Sequence, residues 1–191
     1  MKALCINLKD RPDRWVEFTS QQFPFKVERF EAIKEAPGWQ GCRKSYLECL
    51  KIASRGTEPT LIMEDDCVIL GDWGLVEQAM SELPDDWDVL YLGATLNEPL
   101  VKHSEHLYRL TWAWTTHAII WRGGLAVGHV FNHEDDIGKI DVFLSNEIQA
   151  KFKCYIIYPL FATQRNGISN IVKGWQDYDK LIVERYKKYV L

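Results

Sequence analysis

The 191-residue chain has no Cys-x-x-Cys pair, and its five cysteines, Cys5, Cys42, Cys49, Cys67 and Cys154, are odd in number and irregular in spacing. That pattern argues against a cysteine-type zinc site and for free buried thiols in a reducing compartment, so the expected location is cytoplasmic. Long hydrophobic runs are also lacking. The first one, in MKALCINLKD, breaks at Asn7 and Lys9, short of a signal-peptide core or of the ~20 apolar residues of a membrane span. Nor is there an excess of positive charge. Lys and Arg number 23 against 27 Asp and Glu, a net charge of −4, which offers a nucleic-acid backbone no overall attraction. Three common catalytic signatures are missing too: Gly-x-Ser-x-Gly, a phosphate loop ending in Gly-Lys-Ser/Thr, and Gly-x-Gly-x-x-Gly after the first strand. Hydrolase and dinucleotide-binding readings lose ground accordingly.

The composition, 47% apolar and 26% charged, is that of a chain that folds, and its length suits one domain over residues 1–191 with a sizeable core. Aromatic residues make up 13%, with eight each of Trp, Tyr and Phe; flat amphipathic rings serve both cores and stacking surfaces for sugars or bases.

Hydrophobic patterning predicts a strand over Lys2–Leu8, a helix entered through Asp10, Pro12 and Asp13, and a second strand over Lys26–Ile33. Cys42, Tyr46, Cys49, Leu50 and Ala53 share one helical face, and Gly56 closes that helix. Thr60–Met63 shows no alternation, as in a strand covered on both sides. Further expected elements are a helix near Leu75–Leu83, strands at Trp87–Leu92, Ala118–Trp121 and Lys153–Tyr158, and helices at Ile140–Gln149 and Trp175–Leu191; the stretch Asn97–Arg109 has no clear assignment. Alternating β and α elements imply an α/β fold with a mainly parallel or mixed sheet and helices on both faces.

The chemistry concentrates in LIMEDDCVIL, where Glu64, Asp65 and Asp66 interrupt two apolar runs. Carboxylates beside a core are costly unless cations or donors compensate them. Ligands of open α/β sheets bind beyond the carboxyl ends of the strands, where these acids emerge, and hard oxygen ligands there suit Mg²⁺ or Mn²⁺ on a diphosphate. An acidic turn facing water is the plain alternative. Lys9, Arg11 and Arg14 bring positive charge to the same edge, suited to phosphate. His129 and His133 are spaced to chelate a metal on a helix, with Glu134, Asp135 and Asp136 nearby, but no third ligand of fixed spacing completes that set. His117 reads as a core histidine, and Asp141 as a carboxylate capping a helix.

Taken in order, several pieces resemble glycosyltransferase family 25, which includes bacterial lipopolysaccharide glycosyltransferases and the collagen galactosyltransferases. The pieces are Ile6-Asn7-Leu8 with Arg11 and Arg14, Gly41-Cys42 with Ser45, Glu64-Asp65-Asp66 after an apolar strand, and Trp87-Asp88 with Tyr91-Leu92-Gly93. They continue through Thr116-His117-Ala118, Asp141 with Leu144, and Tyr158-Pro159 followed by Gln164 and Ser169-Asn170-Ile171. The resemblance covers nearly the whole chain. It implies a single GT-A-type, Rossmann-like domain. It also implies hexose transfer from a nucleotide sugar, usually a UDP-hexose, to a hydroxyl of a glycan, lipid-linked glycan or glycoprotein.

By the same resemblance Asn7, Arg11, Arg14, Ser45, Gln164 and Ser169 would serve the donor, and Glu64, Asp65 and Asp66 a Mn²⁺ or Mg²⁺ ion. Asp66 would act through that ion, and Asp141 would be the base of an inverting displacement, with Asp135 or Asp136 as substitutes. Two positions depart from the family pattern: Tyr46, where a histidine is usual, and Asn170, where Ser-Asp-Ile is usual. The lost carboxylate at Asn170 keeps a second reading open, a noncatalytic nucleotide-sugar or glycan-binding module. A metal-dependent phosphoesterase or nucleotidyltransferase could also use the acidic cluster, releasing phosphate or pyrophosphate instead of UDP, and a purely structural or interaction protein would not use it at all.

Overall fold

The computed structural model describes residues 1–168 and 174–190; Ser169 and Asn170 therefore lie outside the described residues. Strand β1 (Lys2–Asn7) is followed by helix α1 (Pro12–Thr19), β2 (Glu28–Glu31), α2 (Gly38–Ser54), β3 (Thr60–Glu64), β4 (Cys67–Ile69), α3 (Trp73–Ser81) and β5 (Val89–Tyr91). Short strands come next: β6 (Thr95–Leu96), β7 (Val101–Lys102), β8 (Leu107–Arg109), β9 (Ala113–Trp114) and β10 (Ala118–Trp121). Helix α4 (Leu125–Asn132) precedes α5 (Ile140–Phe143), which runs into a π-helical stretch, Leu144–Gln149. The chain ends with β11 (Cys154–Ile157), β12 (Ala162–Gln164), β13 (Gly167–Ile168), β14 (Trp175–Gln176), a second π-helical stretch (Asp179–Glu184) and α6 (Arg185–Val190). No described helix is long and apolar enough to cross a membrane.

Local chemistry accounts for the helix starts. Pro12 opens α1, where its fixed φ suits the first turn and its missing N–H costs nothing. Asp72 caps α3 by accepting a hydrogen bond from the Gly74 amide at 2.8 Å. Helix α2 buries Tyr46, Cys49, Leu50 and Ala53, the face expected from their spacing.

Eight strands form one mixed sheet in the order β2-β1-β3-β10-β5-β11-β8-β7. β1 pairs in parallel with both β2 and β3, whereas β10 runs antiparallel between β3 and β5. Both faces are covered. Ile62, Val89, Tyr91, Ile119 and Trp121 belong to a core shared with α2, α4 and α5. Leu61, Met63, Leu90, Ala118 and Ile120 belong to a second core with α1 and α3. This is why Thr60–Met63 reads as continuous apolar sequence: its alternate side chains enter two different cores.

The expected fold class holds, with local corrections. Asn97–Arg109 contains β8 and the edge strand β7, which pairs with it. The continuous helix expected over Ile140–Gln149 changes from α to π geometry at Leu144. Trp175 and Gln176 pair with Ile168 and Gly167 instead of starting the last helix. Two-residue strands of this kind are too short to show an alternation of apolar and polar residues, so local periodicity does not reveal them.

Gly93, just after β5, lies where the segment Phe161–Gln164 crosses the sheet: a Cβ there would sit 1.9 Å from the Ala162 carbonyl oxygen and 2.7 Å from His117 Nε2. Gly93→Ala is expected to cost about 3 kcal/mol, the upper part of the usual overpacking range. Gly128→Ala, in α4 with no atom within 4 Å of its added Cβ, should stabilise by up to about 1 kcal/mol. Urea denaturation of the two variants beside the wild type checks the pair; a small loss for Gly93→Ala would mean that the crossing segment moves aside.

Candidate active site

Strand order places the site. The chain leaves β1 for β2 on one side and returns to β3 on the other, so the carboxyl ends of β1 and β3 flank a topological switch point. Ile6 is in register with Glu64, so Asn7, at the end of β1, stands beside the turn formed by Asp65 and Asp66.

Asn7 Nδ2 donates to Asp65 Oδ2 at 2.6 Å and to the Arg11 carbonyl at 3.1 Å. Arg14, on α1, donates to Asp65 Oδ1 at 3.1 Å and lies 3.8 Å from Asp66 Oδ2. Asp65 is thus held from both sides. Asp66 accepts from Gln164 Nε2 at 3.2 Å, and Glu64 accepts from Thr116 Oγ1 at 2.5 Å. Gln164 reaches Asp66 because β12 pairs with β4, with Gln164 opposite Cys67.

Around these acids lies a cleft in two adjoining halves. The first, about 400 Å³, is lined by Arg11, Arg14 and Lys34, by the edge of α2, and by all three acids. The second, about 490 Å³, is lined by Trp39, Trp114, Thr116, Lys139, Asp141 and Arg185. Cys42, Glu64, Gln164 and Tyr178 line both halves. Glu64 therefore stands where they meet. Thr115, a β-branched residue with φ of 73°, bends the chain between Trp114 and Thr116 at the rim, the kind of backbone strain that collects at ligand sites.

Electrostatics at the junction are governed by burial. Burial pushes the Glu64 carboxyl above the ordinary carboxylate range, and the neighbouring Asp66 charge adds to the shift against the Thr116 hydrogen bond. Asp66 is raised for the same first reason and then by Asp65, with Gln164, Arg14 and Arg165 opposing.

Other expected residues have different surroundings. Arg11 lines the cleft while pairing with Asp13 at 2.8 Å. Ser45 also lines it, but its hydroxyl donates to the Gly41 carbonyl at 2.7 Å and accepts from the Ile33 amide at 2.8 Å, which fixes the start of α2. Gly41 allows that approach, since a Cβ would lie 2.3 Å from the Ile33 carbonyl oxygen. Asp141 is not the cap of α5; that position belongs to Lys139, and Asp141 Oδ1 accepts from the Val142 amide at 2.9 Å inside the first turn. Asp135 and Asp136 line neither half. Tyr46 is a core residue whose hydroxyl accepts from Trp121 Nε1 at 3.0 Å. His117 is fully buried, and burial lowers its pKa to about 4, so it is neutral. The aromatic half of the cleft, with Trp39, Trp114 and Tyr178, is not apparent from local sequence; only the high aromatic content hints at it.

No protein-family model and no curated protein matches the sequence. Among solved structures the chain is similar to a mannose-1-phosphate geranyltransferase from Thermus thermophilus, at 12% identity and a TM-score of 0.47. The alignment covers 83% of this chain and 59% of that one. This chain thus spans less than two thirds of the neighbour's length, and a likeness so distant has no bearing on its chemistry.

A carboxyl whose folded pKa is raised holds its proton after the unfolded chain has lost it. Glu64 therefore contributes progressively less stability as pH rises above its unfolded value of about 4.3. Glu64→Gln should consequently gain stability relative to wild type between about pH 5 and about pH 8 in metal-free buffer. Urea midpoints at the two pH values measure this; a constant difference would show that Glu64 ionises as freely in the fold as in water.

Proposed function

We propose that the chain is a glycosyltransferase that moves a hexose from a nucleotide sugar, UDP-linked, to an acceptor hydroxyl on a glycan, lipid-linked glycan or glycoprotein, with inversion. The observation that carries this reading is the meeting, at the carboxylates of the switch point, of a half-cleft that sets Arg11, Arg14 and Lys34 among acidic residues and a half-cleft walled by Trp39 and Trp114. Diphosphate suits the half that presents Arg11, Arg14 and Lys34. Sugar rings suit Trp39 and Trp114, whose flat faces offer apolar area beside polar groups. The resemblance to family 25 agrees with this division and with a GT-A-type description of the fold.

Glu64 and Asp66 would hold Mn²⁺ or Mg²⁺ as a pair; with Asp65 they do not form a set of three ligand atoms within 4.8 Å of one another. Asp66 and Glu64 are oxygen ligands raised in pKa by burial and by neighbouring acids, the condition a divalent cation relieves. Asp65 holds Asn7 and Arg14 and so anchors the cluster from behind. Such an ion, when bound, stabilises the charge of a departing diphosphate. Arg14 bridges Asp65 and Asp66 and adds positive charge on the same side. Gln164 fixes the direction of Asp66 through its amide.

In the aromatic half, Asp141 takes the proton from the acceptor hydroxyl as that oxygen attacks the anomeric carbon, while the nucleoside diphosphate leaves on the side of Arg11 and Arg14. Acid–base assistance of this kind is worth about 10²–10⁴ in rate. Asn7 and Ser45 act behind the surface by holding the ends of β1 and α2. The unpaired thiols fit a cytoplasmic setting.

Asp141→Asn is expected to lower kcat for UDP release by about 10²–10⁴ with donor affinity retained. Asp66→Asn should abolish the Mn²⁺-dependent rise in melting temperature that UDP gives the wild type, about 5–10 °C at 100 times its dissociation constant. A panel of nucleotide sugars assayed for UDP release with Mn²⁺ tests the whole reading. UDP binding without turnover of any donor would identify a noncatalytic binding module. Absence of both UDP binding and donor turnover would refute the proposal.

A further inference from the structure

The two histidines spaced four apart acquire a third partner from a different part of the chain. His129 lies in the last turn of α4 and His133 just beyond it, while Glu147 projects from the π-helical stretch Leu144–Gln149. One potential ligand atom from each of His129, His133 and Glu147 lies within 4.8 Å of the other two, the only such set of three among the described residues. None of the three lines the cleft.

We propose that His129, His133 and Glu147 form a second metal site, for a borderline transition-metal ion of the Zn²⁺ class, separate from the carboxylates of the cleft. The hydrogen bonding supports it. His133 Nδ1 lies 2.9 Å from the His129 carbonyl oxygen. A carbonyl can only accept, so Nδ1 carries the proton and Nε2 keeps the lone pair that binds metal, the outer-shell arrangement typical of zinc-bound histidine.

The His129 and His133 rings are 4.2 Å apart between centroids, and His129 Nε2 is 3.0 Å from Glu147 Oε2. A hydrogen-bonded proton there occupies the place where an ion would join the same two groups. Lys151 also pairs with Glu147 and balances its charge. The side chains of His129 and Glu147 are 20% and 30% exposed, so an ion has access to them. Two imidazoles and one carboxylate match the three protein ligands of a tetrahedral zinc site, and such a set prefers Zn²⁺ to Mn²⁺ and far prefers it to Mg²⁺. Glu134, Asp135 and Asp136, closer in sequence, are not part of the set.

This proposal stands apart from the transferase reading, and its test does not involve turnover. Chelator-treated protein is titrated with ZnCl₂ by calorimetry, and cobalt(II) loading is followed by visible absorption. The expected result is one Zn²⁺ site that survives Asp66→Asn but is weakened more than about tenfold by His133→Ala, the minimum expected when even an outer-shell partner is lost. The Co²⁺ d–d bands should fade in the same variant. If His133→Ala does not give the wild-type circular dichroism spectrum, Glu147→Gln, which preserves side-chain size, replaces it with the same expectation. Absence of Zn²⁺ binding, or equal affinity in the wild type and the folded site variant, overturns the assignment.

Discussion

The hydrogen bond from Asn7 to Asp65 ties together the carboxyl ends of two parallel strands, and the cleft is organised around it. Asp65 is buried, and a carboxylate in that position is tolerable only with donors on its oxygens. Asn7 supplies one from β1 and Arg14 supplies another from α1. A strand end, a helix and an acidic turn are therefore fixed by a single side chain. Since Asn7 also donates to the Arg11 carbonyl, the loop carrying Arg11 is held by the same group. Asp65 serves as the anchor, and Glu64 and Asp66 on either side of it are left at the cleft with their charges less well compensated.

That asymmetry follows from strand geometry. Successive side chains of β3 point to opposite faces, so Glu64 continues the direction of Ile62, toward the core shared with α2. The chain leaves the sheet at Asp65, and the pairing of β4 with β12 brings Gln164 to Asp66. Three consecutive acids thus have different hydrogen-bond partners, Thr116 for Glu64, Asn7 and Arg14 for Asp65, and Gln164 for Asp66, with Arg14 also approaching Asp66. Consecutive residues do not share one environment, although in sequence the three look like a single cluster.

Much of the scaffold was legible in the sequence because its signals are local. The Cys42-to-Ala53 periodicity marks α2, Pro12 marks the start of α1, and the apolar run before Glu64 marks a strand covered on both sides. The acidic turn and the arginines after β1 were legible for the same reason: charge interrupting apolar sequence is costly, and the sheet edge gives it a place. What was not legible depends on long-range pairing. The crossing of Phe161–Gln164 over Gly93, the pairing of β6 with β9, and the placement of Trp39 and Trp114 on one cleft join residues far apart in sequence. The roles of Asn7 and Ser45 were likewise hidden, since a polar side chain near a site reads alike whether it touches ligand or backbone. His129 and His133 were visible as a pair, but the carboxylate that joins them lies 14 residues beyond His133, on another helical stretch.

The segment Ile140–Gln149 shows how helix geometry reaches the cleft. Its first turn presents Asp141 to the aromatic half, and its end buries Gln149. Gln149 Oε1 accepts from the Ala113 amide at 2.7 Å, while its Nε2 donates to the Ala113 carbonyl at 3.0 Å and to the Tyr91 hydroxyl at 2.9 Å. One amide side chain thereby takes the place of a strand partner for Ala113 and fixes the base of the Trp112–Trp114 arm that forms part of the cleft wall. Between these two ends the helix widens from α to π geometry, which changes the rotation between its first and last turns. Asp141 and Gln149 can then meet targets on different sides of the helix. A regular α-helix of the same length would set the two side chains at another relative angle, so the widened turn sets where Gln149 meets Ala113 relative to Asp141 at the cleft.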